Sequence, residues 1–314
     1  MYETLISKIK KIKPNLKINS IMTYITSLKI FGDITGKGIF TKPEKIFKLI
    51  ENQPLTTQKN RLTAIVVYLR AVEPDDKNLI DTYSKHMDII SGKYANIQNK
   101  QEKTDKQKEN WITMDDFKDV IEQIFDDIQK QEILKKKILN NRDYSLLQSY
   151  VLLRMYLQFP LRNDLAKVKV ITSKSDDNGT DNFLLTRTNK SGSKFYLILN
   201  NYKTVKIYGK KIYPINDKLT KLIKILLFFN SRKYLFLRYN REKPLSTNDL
   251  TKLLNRIFEK YIGKTVGTSL LRHIQISEHR KNDPTLKEVE EANKKVEDKF
   301  LHSSKMNNEY RKIK

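Results

Sequence analysis

At 314 residues, with 39% hydrophobic and 10% aromatic residues, the chain is long enough for two domains with real cores and is no disordered arm. Sixty-one Lys and Arg against thirty-six Asp and Glu leave a formal charge of +25, which points to a polyanionic partner, nucleic acid ahead of an anionic membrane surface. The absence of cysteine excludes disulfides, a thiolate nucleophile and Cys-ligated zinc, and the four histidines, His86, His273, His279 and His302, lack the spacing of a zinc site.

No run of about 18 apolar residues suggests a membrane span, and the lysine-rich start lacks a signal-peptide core. The protein is therefore expected inside a cell, in the nucleus or cytoplasm of a host or in a bacterial cytoplasm. Residues 1–96 read as a helical bundle. INSIMTYITSLKIFG carries an apolar stripe at Ile18, Ile21, Ile25 and Leu28 and stops at Gly32, and the segment around Leu62, Ile65, Val66 and Leu69 has a second such face. Residues 97–110, IQNKQEKTDKQKEN, are polar after Ile97 and predict a solvated linker.

A second domain, 111–314, opens at WITMDDF, where Thr113 and Asp116 fit a capping box and Trp111 can staple the first turn. A long apolar helix, SLLQSYVLLRMYLQF, is stopped by Pro160. VKVIT, NFLLTRT, KFYLILNNY and KIYGKKIYPI then predict a small antiparallel sheet, after which the chain returns to helix. The predicted fold is thus mainly α with a small antiparallel β-sheet.

Four stretches carry candidate chemistry. PLRNDLAKV sets Arg162 just past a helix-breaking proline, beside Asp164, with which it can simply pair. YKTVKIYGKK sets Lys203 and Lys206 at or near a β-turn, with Lys210 and Lys211 following. SLLRHIQISEH sets Arg272 on a helix with Ser269 one turn earlier, and FLHSSKMNNEY ends the series with His302 and Tyr310. An arginine amid apolar helical residues is costly unless it has a partner or a task. His273 lies about 100° round that helix from Arg272 and is expected beneath the site, while His86 and His279 are expected at the surface.

The order of these stretches resembles the tyrosine recombinase (phage integrase) family, in its virus or virophage type. The resemblance spans essentially the whole chain, because that family also places a helical DNA-clamping domain before the catalytic one. It implies that Tyr310 attacks a DNA phosphate to give a 3′-phosphotyrosyl intermediate. Arg162 and Arg272 would grip the phosphorane oxygens, Lys203, with Lys206 in reserve, would protonate the leaving 5′-oxygen, and His302 would donate to a phosphate oxygen. No cofactor and no metal are implied. The implied partners are double-stranded DNA and further copies of the chain in a tetrameric synapse.

Three positions depart from the family pattern. Ser269 stands where a histidine is usual, Asp164 comes at the second rather than the third place after Arg162, and little chain follows Tyr310. Two other functions share part of this pattern: a type IB DNA topoisomerase, and a non-catalytic DNA-binding relative. At the C-terminus, a helix begun at Pro284 is expected to bury Leu286, Val289, Val296 and Phe300 and to end near His302. Ser303 or Ser304 would then cap a separate short helix delivering Tyr310.

Overall fold

The structure is a computed structural model and describes residues 2–32, 37–190, 192–230 and 233–300. It is mostly helical with one small sheet. Contacts divide it into two units. One joins Met1–Glu102 with the described part of Pro284–Lys314, and the other is Lys103–Asp283.

The first unit holds α1 (Tyr2–Ile12), α2 (Ile18–Leu28), α3 (Pro43–Ile50), α4 (Leu55–Val72) and α5 (Lys77–Asn99). The four inward residues expected on α4, Leu62, Ile65, Val66 and Leu69, are buried in one core with Leu28 of α2 and Ile80 and Tyr83 of α5. Val67 joins Ile21 and Ile25 on a neighbouring face. Ile18 opens α2 at the edge of that stripe and stays 47% exposed. The helix runs into the 3₁₀ turn Lys29–Phe31 and stops at Gly32, whose φ of 83° suits a residue without Cβ. The expected linker 97–110 contains the division between the units, at Glu102–Lys103, but is largely helical. Its first residues finish α5, and α6 (Asp105–Asn110) follows, closed at its start by the reciprocal Thr104–Gln107 capping box. Polarity here reflects a helix that buries nothing, not an absence of helix.

A last helix, Leu286–Phe300, belongs to this first unit rather than to Lys103–Asp283. Leu286 and Val289, expected on its buried face, are 50% and 40% exposed. The side chains of Val296 and Phe300, the other two residues expected on that face, lie outside the described residues. The expected break near His302 and the short helix at Met306–Tyr310 lie outside the described residues.

In the second unit, α7 (Met114–Lys130) begins at the predicted Thr113–Asp116 capping box, with both reciprocal bonds present at 3.0 and 2.7 Å. α8 (Asn141–Gln158) is buried on several faces, through Leu147, Val151, Leu152 and Met155 among others, and ends before Pro160. A core helix enclosed in this way needs no amphipathic stripe.

The sheet comprises β1 (Lys169–Ile171), β2 (Phe183–Asn189), β3 (Gly192–Leu199) and β4 (Lys211–Pro214), in that spatial order. β2, β3 and β4 pair antiparallel as expected. β1 adds to β2 in parallel, because an excursion containing the 3₁₀ turn Lys174–Asp176 brings the chain back to the same end before β2 starts. Period-2 alternation sends Leu184, Phe195, Leu197 and Leu199 into the main helical core and Phe183, Leu185 and Ile198 to the opposite face. KIYGKKIYPI, one of the runs expected in the sheet, is divided: Val205–Tyr208 form a single helical turn, α9, and only Lys211–Pro214 enter the sheet. Gly209, at φ 63°, makes the reversal between them. α10 (Asp217–Phe228), α11 (Thr247–Ile262) and α12 (Thr268–His279) complete the unit.

Candidate functional site

Arg162 stands where α8 gives way to the sheet. After Pro160 the chain turns, and Arg162 precedes the 3₁₀ turn Asn163–Leu165. Its backbone N–H donates to the Asp164 carboxylate at 3.2 Å, and its carbonyl accepts from the hydroxyl of buried Tyr156 at 2.8 Å. Among the described residues no ion pair within 4.0 Å joins the side chains of Arg162 and Asp164, so the bland pairing weighed from sequence is not formed. Arg162 as a whole is exposed.

Arg272 projects from α12, half-buried between buried Leu271 and exposed His273. The exposure of His273 corrects the expectation that it packs beneath the site; a neighbour 100° round a helix faces solvent when Leu271 and Ile274 take the core side. Ser269 is also exposed. His279 is exposed as expected, whereas His86 is half-buried, its ring stacked on Phe47 with centroids 3.8 Å apart.

Both arginines line one cleft of about 560 Å³ within the second unit, together with Asp164, Lys211 and the aromatic rings of Tyr202, Tyr208 and Tyr213. The three feel one another. Burial is the main influence drawing the Arg272 pKa down, the charge of Arg162 adds to it, and Asp164 opposes it. Burial pushes the Asp164 carboxyl above its ordinary value, against the Arg162 N–H bond and the charges of both arginines. Two guanidiniums and an ammonium against one carboxylate leave the cleft net positive, and a guanidinium remains charged under any ordinary condition. Such a site favours a multiply charged oxyanion, which arginine grips through paired N–H donors.

Lys203 and Lys206 do not line this cleft. Both are exposed on the connection between β3 and β4, Lys203 between the cleft residues Tyr202 and Thr204, and Lys206 on α9. The expected β-turn is thus a longer segment, residues 200–210. Lys211 is the lysine that lines the cleft, and no local signal in four closely spaced lysines separates it from the others. His302 and Tyr310 lie outside the described residues. Among the described residues no cluster of three His, Cys, Asp or Glu is placed to hold a metal ion, and no helix is long and apolar enough to cross a membrane.

No family model and no curated protein sequence matches the chain. Among solved structures, a crystal structure of XerA recombinase is similar over 91% of this chain and 88% of that one, at 13% identity and a TM-score of 0.33.

Proposed function

We propose that the chain is a site-specific tyrosine recombinase that cuts and rejoins DNA strands. The observation that carries this reading is the meeting of Arg162 and Arg272, two residues picked out by motif and distant in sequence, in one cationic cleft with Lys211. A scissile phosphodiester seated there would have its non-bridging oxygens held by both guanidiniums, and the added charge of the pentacoordinate state would meet donors already in place.

In this reading the Tyr310 oxygen bonds to phosphorus as the bond to the 5′-oxygen breaks. The phenolic proton passes to surrounding water, and the Lys203 ammonium supplies a proton to the leaving oxygen. Lys211 adds a third cation to the phosphate, and His302 donates to a phosphate oxygen. Rejoining reverses each transfer with a new 5′-hydroxyl. Further copies of the chain assembled on DNA would supply the partner strands.

A nicked duplex whose cut strand loses its 5′-hydroxyl fragment on cleavage tests the reading. The protein should form a denaturation-resistant adduct with the 3′ side, and Tyr310→Phe should bind the duplex equally well without forming it. DNA binding with no adduct from the parent protein would instead make the chain a binder, and relaxation of supercoils without strand joining would make it a topoisomerase.

A further inference from the structure

The segment 200–210 carries Lys203 and Lys206, leads into Lys211, and is held at both ends by the same carboxylate. At its start, the Asn200 side-chain amide donates to Asp177 Oδ1 at 2.7 Å; at its end, the Lys210 ammonium pairs with Asp177 Oδ2. The Asp177 side chain is only 3% exposed and also accepts the Gly179 N–H at 2.9 Å, so it is a charge taken out of water and compensated by three donors. Beside it, the buried amide of Asn182 uses its full hydrogen-bonding capacity. Its oxygen accepts from the backbone N–H groups of Asn200 and Asn201 at 3.0 and 2.8 Å, while its nitrogen donates to the carbonyls of Asn201 and Asp164 at 3.0 and 3.1 Å. The last of these bonds reaches the turn that carries Arg162. Inside the segment, Tyr202 donates its hydroxyl to the Gly209 carbonyl at 2.6 Å, bracing one limb against the other.

From this arrangement we infer that Asp177, seconded by Asn182, is a positioning residue that fixes the lysine-bearing connection against the arginine turn. The logic is geometric. Lys210 immediately precedes Lys211, which opens β4 paired opposite Leu199, and neighbouring residues entering a strand point to opposite sides. Holding the Lys210 ammonium on Asp177 therefore turns Lys211 toward the cleft. Closing the foot of the segment through one carboxylate limits how far the Lys203-bearing limb can move. Neither Asp177 nor Asn182 lines the cleft, and nothing in the local sequence SDDNGTDN marks either residue as part of it.

The latch stands on the hydrogen bonds alone, whereas its consequence for catalysis rests on the recombinase reading. The experiment keeps the two apart. Amide hydrogen exchange is measured on the full-length chain for Asp177→Asn, Lys210→Met and Lys210→Arg. Asp177→Asn and Lys210→Met should each speed exchange across residues 201–209 by about tenfold or more, with the β2–β3 hairpin unchanged, and Lys210→Arg should behave as the parent. Lys210→Met is surface-exposed at its origin and serves if Asp177→Asn fails to fold. On the nicked duplex, the first and second variants should form adduct about tenfold more slowly at unchanged DNA affinity, with Lys210→Arg restoring the parent rate. Unchanged exchange in 201–209, or a rise spread evenly over the sheet, would overturn the latch. A latch seen in exchange beside normal adduct formation would remove its catalytic role. If the parent forms no adduct, the recombinase reading fails while the exchange data still decide the latch.

Discussion

Tyr156 and Arg162 are joined by a 2.8 Å hydrogen bond from the buried phenol to the arginine's own carbonyl. The main-chain carbonyl of the same tyrosine accepts the side-chain amide of Gln275, also at 2.8 Å, and Gln275 lies on α12 one turn beyond Arg272. One residue at the end of α8 thus anchors the backbone of one arginine and the helix of the other. Fixing guanidiniums through their supports lets a cleft meet a phosphate without reorganising.

Tyr156→Phe keeps the ring and removes the anchor, leaving the Arg162 carbonyl without its donor. It should cost about 1–3 kcal/mol in urea unfolding and weaken oxyanion binding in the cleft, read by displacement of a short phosphorylated oligonucleotide. Unchanged stability together with unchanged binding would show that Arg162 is held by other contacts.

Arg162→Lys and Arg272→Lys preserve charge but lose the planar fork. Each should reduce adduct formation by about a hundredfold or more while duplex affinity changes little, since the remaining basic surface still engages the backbone. A loss confined to affinity would make the cleft a binding site only.

Lys203→Ala and Lys211→Ala should part company on a substrate with sulfur at the 5′-bridging position, whose leaving group needs no proton. If Lys203 is the proton donor and Lys211 a phosphate contact, as proposed, that substrate should restore cleavage by Lys203→Ala and leave the defect of Lys211→Ala. The opposite pattern would exchange the two roles.

Two carboxylates should give opposite pH signatures. Burial presses the Asp177 carboxyl upward, yet the bonds from Lys210, Gly179 and Asn200 outweigh it and hold the pKa below the usual range. A depressed folded pKa stabilises above the unfolded value of about 3.9 and loses that contribution as pH falls through the folded value. Asp177→Asn should therefore be destabilised at pH 7, with the gap closing below about pH 4. Asp164 is raised, chiefly by burial, so its contribution is present at low pH and is lost as pH rises through the folded value. Asp164→Asn should be the more stable protein at pH 7 and equal to its parent near pH 3; urea midpoints at the two pH values decide both cases.

A formal charge of +25 should make duplex affinity fall steeply with salt, by about 0.9 log units per log unit of salt for each phosphate contact. A slope near zero would remove DNA as the partner.

Much of the fold was legible because its signals are local. The Thr113–Asp116 capping box, the stop at Pro160, the buried stripe of α4 and the strand character of β2 and β3 depend on residues within a turn or two of one another. The 97–110 stretch holds the division between the two units, at Glu102–Lys103, but its short helix is not legible because it buries nothing, and hydrophobic period is the signal that sequence reading follows.

Taken by itself, the sequence determined the helical character, the net basic charge and the local settings of Arg162 and Arg272, because each is a property of composition or of short-range spacing. Only the tertiary structure decided which lysine enters the cleft. In YKTVKIYGKK all four lysines look alike; the choice of Lys211 follows from its strand register opposite Leu199 and from Asp177, 33 residues before Lys210, which turns Lys210 the other way. A side chain's direction at the foot of a strand is set by such distant partners, and no local pattern encodes it.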